Sequence, residues 1–178
     1  MAAEKKITLG SGKLFCLVYD GSTIPDDATI EQDANLLGYI KGGATLTYEP
    51  EFYTAEDDLG YVKKKMLTSE DVTLKSGIMT WNGETLSKLS STARVTTDAK
   101  TRTVKIGGLS NYDGKSYVLH FLHEDKEEGA CRITIVGSNE AGFEMAFAKD
   151  EETVIDAEFK ALPLDDEGTL IIYTEELA

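Results

Sequence analysis

Basic residues are scarce in this chain. Eighteen lysines and arginines stand against 32 aspartates and glutamates, a net charge of -14. A free nucleic-acid binder needs a basic surface to neutralise phosphates, so that class is excluded. Cysteine is nearly missing too. Cys16 and Cys131 each sit in an apolar, strand-like run (LFCLVY and ACRITIVG), which predicts buried free thiols and no disulfide framework. No apolar run approaches the ~20 residues of a membrane span. The start, MAAEKKITLG, lacks the apolar core of a secretion signal. The expectation is a protein assembled in the cytoplasm, with no membrane partner.

Residues for catalysis are equally sparse. His120 and His123 are the only histidines. Three apart on a strand, they point to opposite faces and cannot share one metal. The GSGK at Gly10 to Lys13 lacks the spacing of a phosphate loop and runs into a strand instead of a helix. Asp26-Asp27, Asp57-Asp58 and Asp165-Asp166-Glu167 are loop carboxylates without calcium-loop spacing. No serine sits in a nucleophile elbow. The reading is a non-enzyme with no catalytic residue, cofactor or metal. With Trp81 as the lone tryptophan, the line of exposed aromatics expected of a carbohydrate-binding module is also missing.

What is present is alternation. Leu46, Tyr48, Pro50 and Phe52 recur every second residue, with Thr47, Glu49, Glu51 and Tyr53 between them. That period of two makes a strand with one apolar and one polar, acidic face. Val72, Leu74, Ser76 and Ile78 form the returning strand. Residues 41–81 therefore read as a long hairpin arm, with Gly42-Gly43 a flexible start. Ala55 to Asp71 is a charged loop too long for a tight turn. Its Leu59, Tyr61, Val62, Met66 and Leu67 are too many apolar groups for an inert linker, so the loop is expected to dock on another copy.

Further strands are predicted at Lys13 to Tyr19, Arg102 to Ile106, Lys115 to His123, Ala130 to Gly137, Gly142 to Ala148, Thr153 to Ala161 and Thr169 to Thr174, while Asn35 to Ile40 re-enters the core and feeds the hairpin. Asn82 caps the one expected helix, with Leu86, Leu89 and Ala93 at helical spacing over about three turns. Eight or nine strands and one short helix predict a mainly β chain, two packed antiparallel sheets in a sandwich or barrel-like pair, over a single domain 1–178.

The strings LLGYIKGGATLTYEPEFYTAEDD, LKSGIMTWNGETL, KSYVLHFLHEDKEEGACRITIVG and TVIDAEFKALPLDDEGTLIIYTEEL resemble the major tail tube proteins of long-tailed, non-contractile bacteriophages and prophages. The resemblance runs over essentially the whole chain. It implies two packed β-sheets with a helix and a long hairpin loop. It further implies hexameric rings whose inner sheets join into one barrel, stacked into a hollow tube that conducts the genome. The implied partners are further copies of the chain, tail-tip or initiator and terminator proteins, a tape measure protein in the lumen, and DNA in transit without sequence-specific contacts. The implied place is the virion tail, built in the host cytoplasm. Some members carry an extra immunoglobulin-like domain, for which the chain to Ala178 leaves no room. A ring-forming tail-tip or type VI-like component is the alternative, and a carbohydrate-binding sandwich a more distant one.

A lumen suits acidic walls, because duplex DNA finds nothing to stick to there. From Glu140 onward twelve acids face only Lys149 and Lys160. Glu49, Glu51, Asp156 and Glu158, each on the polar face of a long strand, are the candidates to line it. The same residues could instead lie on the outer wall. Leu59, Tyr61, Val62, Met66 and Leu67 are the candidate inter-ring contacts. Met1 to Ile7, charged and without an anchor, is expected to be disordered in the free subunit.

Overall fold

The computed structural model describes residues 10–126 and 129–177. The expectation for Met1 to Ile7 lies outside them, as do Glu127 and Glu128 of the acidic turn. Among the described residues the chain forms β1 (Lys13–Val18), α1 (Asp27–Ile30), β2 (Leu36–Gly38), β3 (Ile40–Glu56), β4 (Lys63–Ile78) and α2 (Gly83–Lys88). It continues through β5 (Arg94–Thr97), β6 (Arg102–Lys105), β7 (Tyr117–Asp125), β8 (Gly129–Asn139), β9 (Ile155–Leu162) and β10 (Ile172–Glu175).

There are two antiparallel sheets, as the alternation predicts, and they are unequal. The large one runs β2-β1-β7-β8-β9-β4-β3, and β5-β6 is a separate ribbon. Strand β8 makes the large sheet bend. Its first half, Cys131 to Thr134, pairs with β10, and its second half, Val136 to Asn139, pairs with β9. The two limbs close on a common core, in which Leu14, Leu119, Phe121 and Ile135 of one limb meet Val72, Leu74, Ile155 and Phe159 of the other. The sandwich is thus one sheet folded over on itself.

The first limb is apolar on both faces, as the unbroken KLFCLV of β1 requires. Its outer face, with Phe15, Val118, Leu122 and Val136, is covered by Ile24, Ile30 and Leu164 from the connections and by Leu36 of β2. The connection read as irregular from Ser22 to Asp33 contains α1, a single turn capped by Asp26, whose carboxylate accepts from Thr29 N at 2.9 Å. In β9 the expected alternation holds. Ile155, Ala157, Phe159 and Ala161 are buried while Asp156 and Lys160 are exposed. Phe159→Ala would leave a cavity at the junction of the limbs. It is expected to cost about 3–5 kcal/mol, a drop of roughly 10 °C in Tm measured by circular dichroism.

Three expectations need correction. The helix at Asn82 forms with the capping box intact, Asn82 Oδ1 accepting from Glu84 N and Thr85 N while Thr85 Oγ1 accepts from Asn82 N. It ends at Lys88, well short of three turns. Ser90 to Thr92 is drawn away by bonds that compete with the helix, Ser91 O accepting from Asp113 N and Thr92 Oγ1 from Gly107 N. Gly142 to Ala148 joins no strand ladder among the described residues. The Asn139 amide donates to Leu89 O and Gly142 O, which turns the chain off β8. Phe143 and Met145 then pack on the core, and Phe147 stays exposed with its ring edge-on to Trp81. The third correction is the arm.

Candidate functional site

Ala55 to Asp71 is mostly strand. Strands β3 and β4 pair as far as Glu56↔Lys63, with two register shifts on the way, leaving a turn of Asp57 to Val62. Asp57 closes that turn. Its N–H donates to Val62 O at 3.1 Å, its carboxylate accepts from Val62 N at 2.6 Å, and Gly60 takes the positive φ of 75°. The sequence hid the strand because the register slips between Glu51↔Ser69 and Phe52↔Leu67, so a bulge at Thr68 breaks the period of two. Gly42 and Gly43, read as a flexible start, form another irregularity. Both have positive φ, between Lys41↔Gly77 and Ala44↔Ser76.

The root of the hairpin belongs to the body. There Val72, Leu74 and Ile78 are buried and Leu46 is partly buried. Beyond Tyr48↔Val72 the two strands pair only with each other, over about 30 Å at ~3.3 Å per residue. The apolar face read for β3 carries on past the body. Tyr48 and Phe52, beside Pro50, are exposed, with Leu67 opposite Phe52 and the Lys65 ammonium 4.1 Å from the Phe52 ring. Tyr53 and Met66 pair on the other face. All five candidate contact residues are exposed, Leu59, Tyr61 and Val62 in the turn and Met66 and Leu67 on opposite faces of β4. Tyr61 is the most open of them at 83%.

The four acidic candidates also come together. Pairing places Glu49 opposite Asp71, Glu51 opposite Ser69, Asp156 opposite Gly77 and Glu158 opposite Lys75, all on the face of the β9-β4-β3 limb turned away from the core. Lys160, outward on β9 as the alternation predicts, shares this face with Asp71, Lys75 and Lys41, which sequence reasoning did not place there. Lys75 pairs with Glu158 at 2.8 Å, and Lys160 with Asp71 at 3.2 Å. The pairing register, rather than any local pattern, is what reveals them. The face is therefore acidic with its charge partly compensated.

A second polar centre ties α1 to the first limb. His120 is fully buried, its Nδ1 2.8 Å from Thr134 Oγ1 and its Nε2 3.1 Å from Glu31 Oε1. His123 faces the other way, as its spacing predicts, with Nδ1 2.7 Å from Ser11 O. Arg132 Nε donates to Glu31 at 2.6 Å, and Arg132 Nη1 to Glu176 at 3.0 Å. Asp27, Glu31 and His120 have the spacing of a metal-ligand set. The Arg132 guanidinium, 3.5 Å from Asp27 as well, already supplies positive charge there. Burial would raise the Glu31 carboxyl, but the hydrogen bonds and charge of Arg132 and His120 outweigh it and hold the group below the ordinary glutamate value. A depressed carboxyl stabilises the fold above its unfolded value, and that contribution is lost as pH falls through the lower folded value. Glu31→Gln is therefore expected to lower Tm at pH 7 and to approach wild type at pH 3. Thermal melts at the two pH values test this.

Cys16 is buried and Cys131 partly so, and both are free. Burial pushes the Cys16 thiol up to about 12, against a smaller lowering by Lys88. Among the described residues no helix is long and apolar enough to cross a membrane.

No family model matches the chain, and no curated protein matches it in sequence. Among solved structures, a chain of the virion of a native gene transfer agent particle superposes with a TM-score of 0.38 at 9% identity. The superposition covers 92% of this chain and 95% of that one.

Proposed function

We propose that this chain is the structural subunit of a phage-type tail tube, forming hexameric rings that stack into a hollow conduit for DNA. The observation that supports it most is the outer edge of β3. Seventeen residues long, β3 pairs with β4 on one side and ends the sheet on the other. An open edge of that length invites pairing with another chain, and a protein that stays soluble must cover it. Pairing β3 with a different edge of the next copy is a heterologous contact, which closes into a ring when the rotation allows. The resemblance of the hairpin and the terminal strands to tail tube proteins supports the same reading.

The mechanism is passive. The arm, with apolar groups on both faces and at its tip, seats on a neighbouring copy. The acidic face of the β9-β4-β3 limb lines the channel and repels the phosphates of passing DNA. No residue does covalent chemistry. The tube is capped by tip and terminator proteins and filled by a tape measure protein before the genome passes. Negative-stain electron microscopy of concentrated protein is the test, and long tubes with a central hole are the expected result. Isolated rings would instead favour a tail-tip or type VI-like component, and monomers would overturn the tube reading.

A further inference from the structure

His123 carries a nitrogen that nothing around it satisfies. The side chain is buried, at 5% exposure. Its Nδ1 lies 2.7 Å from Ser11 O, and a carbonyl only accepts, so Nδ1 holds the ring proton. Nε2 is left as a bare lone pair, buried and without a hydrogen-bond partner among the described residues. An unpaired buried acceptor destabilises a fold, so its presence calls for a partner from outside the chain. The tautomer is the one that metal-ligating histidines adopt, with the far ring N–H held by a backbone carbonyl. The ring is also confined. A Cβ at Gly10 would sit only 3.3 Å from Cε1, so the backbone there limits rotation.

The pairing register sets two further donors beside it. His123 is opposite Cys131 across β7 and β8, and Cys131 is opposite Glu175 across β8 and β10. Directly opposite residues share a face, so imidazole, thiol and carboxylate stand abreast on three neighbouring strands. Ser11 leads into β1, so the Nδ1 edge of the ring faces β1 and the edge carrying Nε2 faces β8 and Cys131. We infer that His123, Cys131 and Glu175 form a site for a zinc-class divalent cation, with water as the fourth ligand. Opposite Cβ atoms lie about 4.5–5.5 Å apart, a gap spanned by an ion ~2.0 Å from nitrogen and ~2.3 Å from sulfur. Glu175 is exposed, and its carboxylate accepts only a long bond from Tyr173 Oη at 3.3 Å, which a metal can displace. Nitrogen and sulfur ligands suit zinc, whereas magnesium and calcium take oxygen. Burial and the charge of Glu175 both push the Cys131 thiol up, so the group is a protonated thiol until a cation binds and its proton leaves to solvent. The bound ion pins β10, exposed along its length, to the β7-β8 pair. This site is independent of the tube reading. It is also separate from Asp27, Glu31 and His120 on the other face of β7, where Arg132 takes the place of a cation. Spacing along the chain conceals the set, because three separate strands supply it.

Cobalt(II) is the probe, because a thiolate ligand gives it a charge-transfer band in the near ultraviolet. Titration of chelator-treated wild type is expected to raise that band to a plateau at one ion per chain, with zinc then displacing the cobalt. Zinc at 100-fold above its Kd is expected to raise Tm by roughly 5–10 °C. Cys131→Ser should abolish the band and weaken zinc binding roughly 100-fold, and Glu175→Gln should keep the band and weaken binding about 10-fold. His123→Ala should lose binding as well. Since His123 is buried, its variant is read only if its metal-free Tm stays near that of wild type, and the other two variants otherwise decide. Wild type that shows neither the band nor a rise in Tm with zinc overturns the site. So does Cys131→Ser that binds zinc as tightly as wild type. Zinc binding that survives Cys131→Ser and disappears in Glu31→Gln places the ion beside α1 and overturns it too. None of these outcomes bears on whether the chain builds tubes.

Discussion

Cutting the β3-β4 hairpin back to its root is expected to yield a stable monomer that no longer assembles. The variant deletes Glu51 to Ser69 and joins Pro50 to Glu70, opposite partners in the register, through an Asn-Gly turn. Everything removed is exposed, whereas Val72, Leu74 and Ile78, which hold the limb to Ile155 and Phe159, remain. Surface deletions of this kind leave the core energetics alone, so Tm should shift by no more than about 3 °C. Assembly should respond very differently. Phe52, Tyr53, Leu59, Tyr61, Val62, Met66 and Leu67 are all left wet by the monomer. Fully burying one such side chain is worth about 1.5–3 kcal/mol, so losing three of them forfeits roughly 5 kcal/mol, near 10³–10⁴ in an association constant. Sedimentation velocity and electron microscopy would read the result. Normal tubes from the shortened protein would show that the arm is not an assembly element.

The arm also shows what the sequence reveals and what it conceals. Strict alternation in Val72 to Ile78 and Ile155 to Ala161 announces buried strands, and those residues are buried. The capping box at Asn82 is local chemistry, legible from two residues three apart. Alternation is silent about how far a strand stays against the body. Leu46 and Phe52 look equivalent in sequence, yet one packs on the core and the other points to solvent. The difference is set by where β9 stops pairing with β4, at Thr73↔Lys160. The bulge at Thr68 and the run Lys63-Lys64-Lys65 masked the distal strand, so it read as loop. Gly142 to Ala148 shows the converse. Its alternation is real, and Phe143 and Met145 do pack inward, but the segment joins no strand ladder among the described residues. The Glu31–Arg132–His120 centre brings together three well-separated segments, and no local pattern could announce it.

Replacing Glu49, Glu51, Asp156 and Glu158 with lysine is expected to give tubes that assemble but retain DNA. On this face Glu49, Glu51, Asp71, Asp156 and Glu158 stand against Lys41, Lys75 and Lys160. The substitutions invert that balance, leaving Asp71 alone of the five acids against seven lysines. Folding should survive. Glu158→Lys sets two lysines opposite each other and breaks an ion pair whose side chains are 53% and 38% exposed. Exposed pairs contribute only ~0–1 kcal/mol, and the core face of β9 is untouched. Transport should not survive. Duplex DNA carries one negative charge per ~1.7 Å, so a lysine-lined wall would exchange counterions with it along the whole channel. Ejection measured by dye uptake is expected to slow at least tenfold at low salt, and to recover as ionic strength rises and the Debye length falls below ~10 Å. A companion variant with Gln or Asn at the four positions separates loss of repulsion from gain of attraction, and should eject at close to the normal rate. Lysine tubes that release DNA as fast as wild type at low salt would place this face on the outer wall, with the channel lined by other residues.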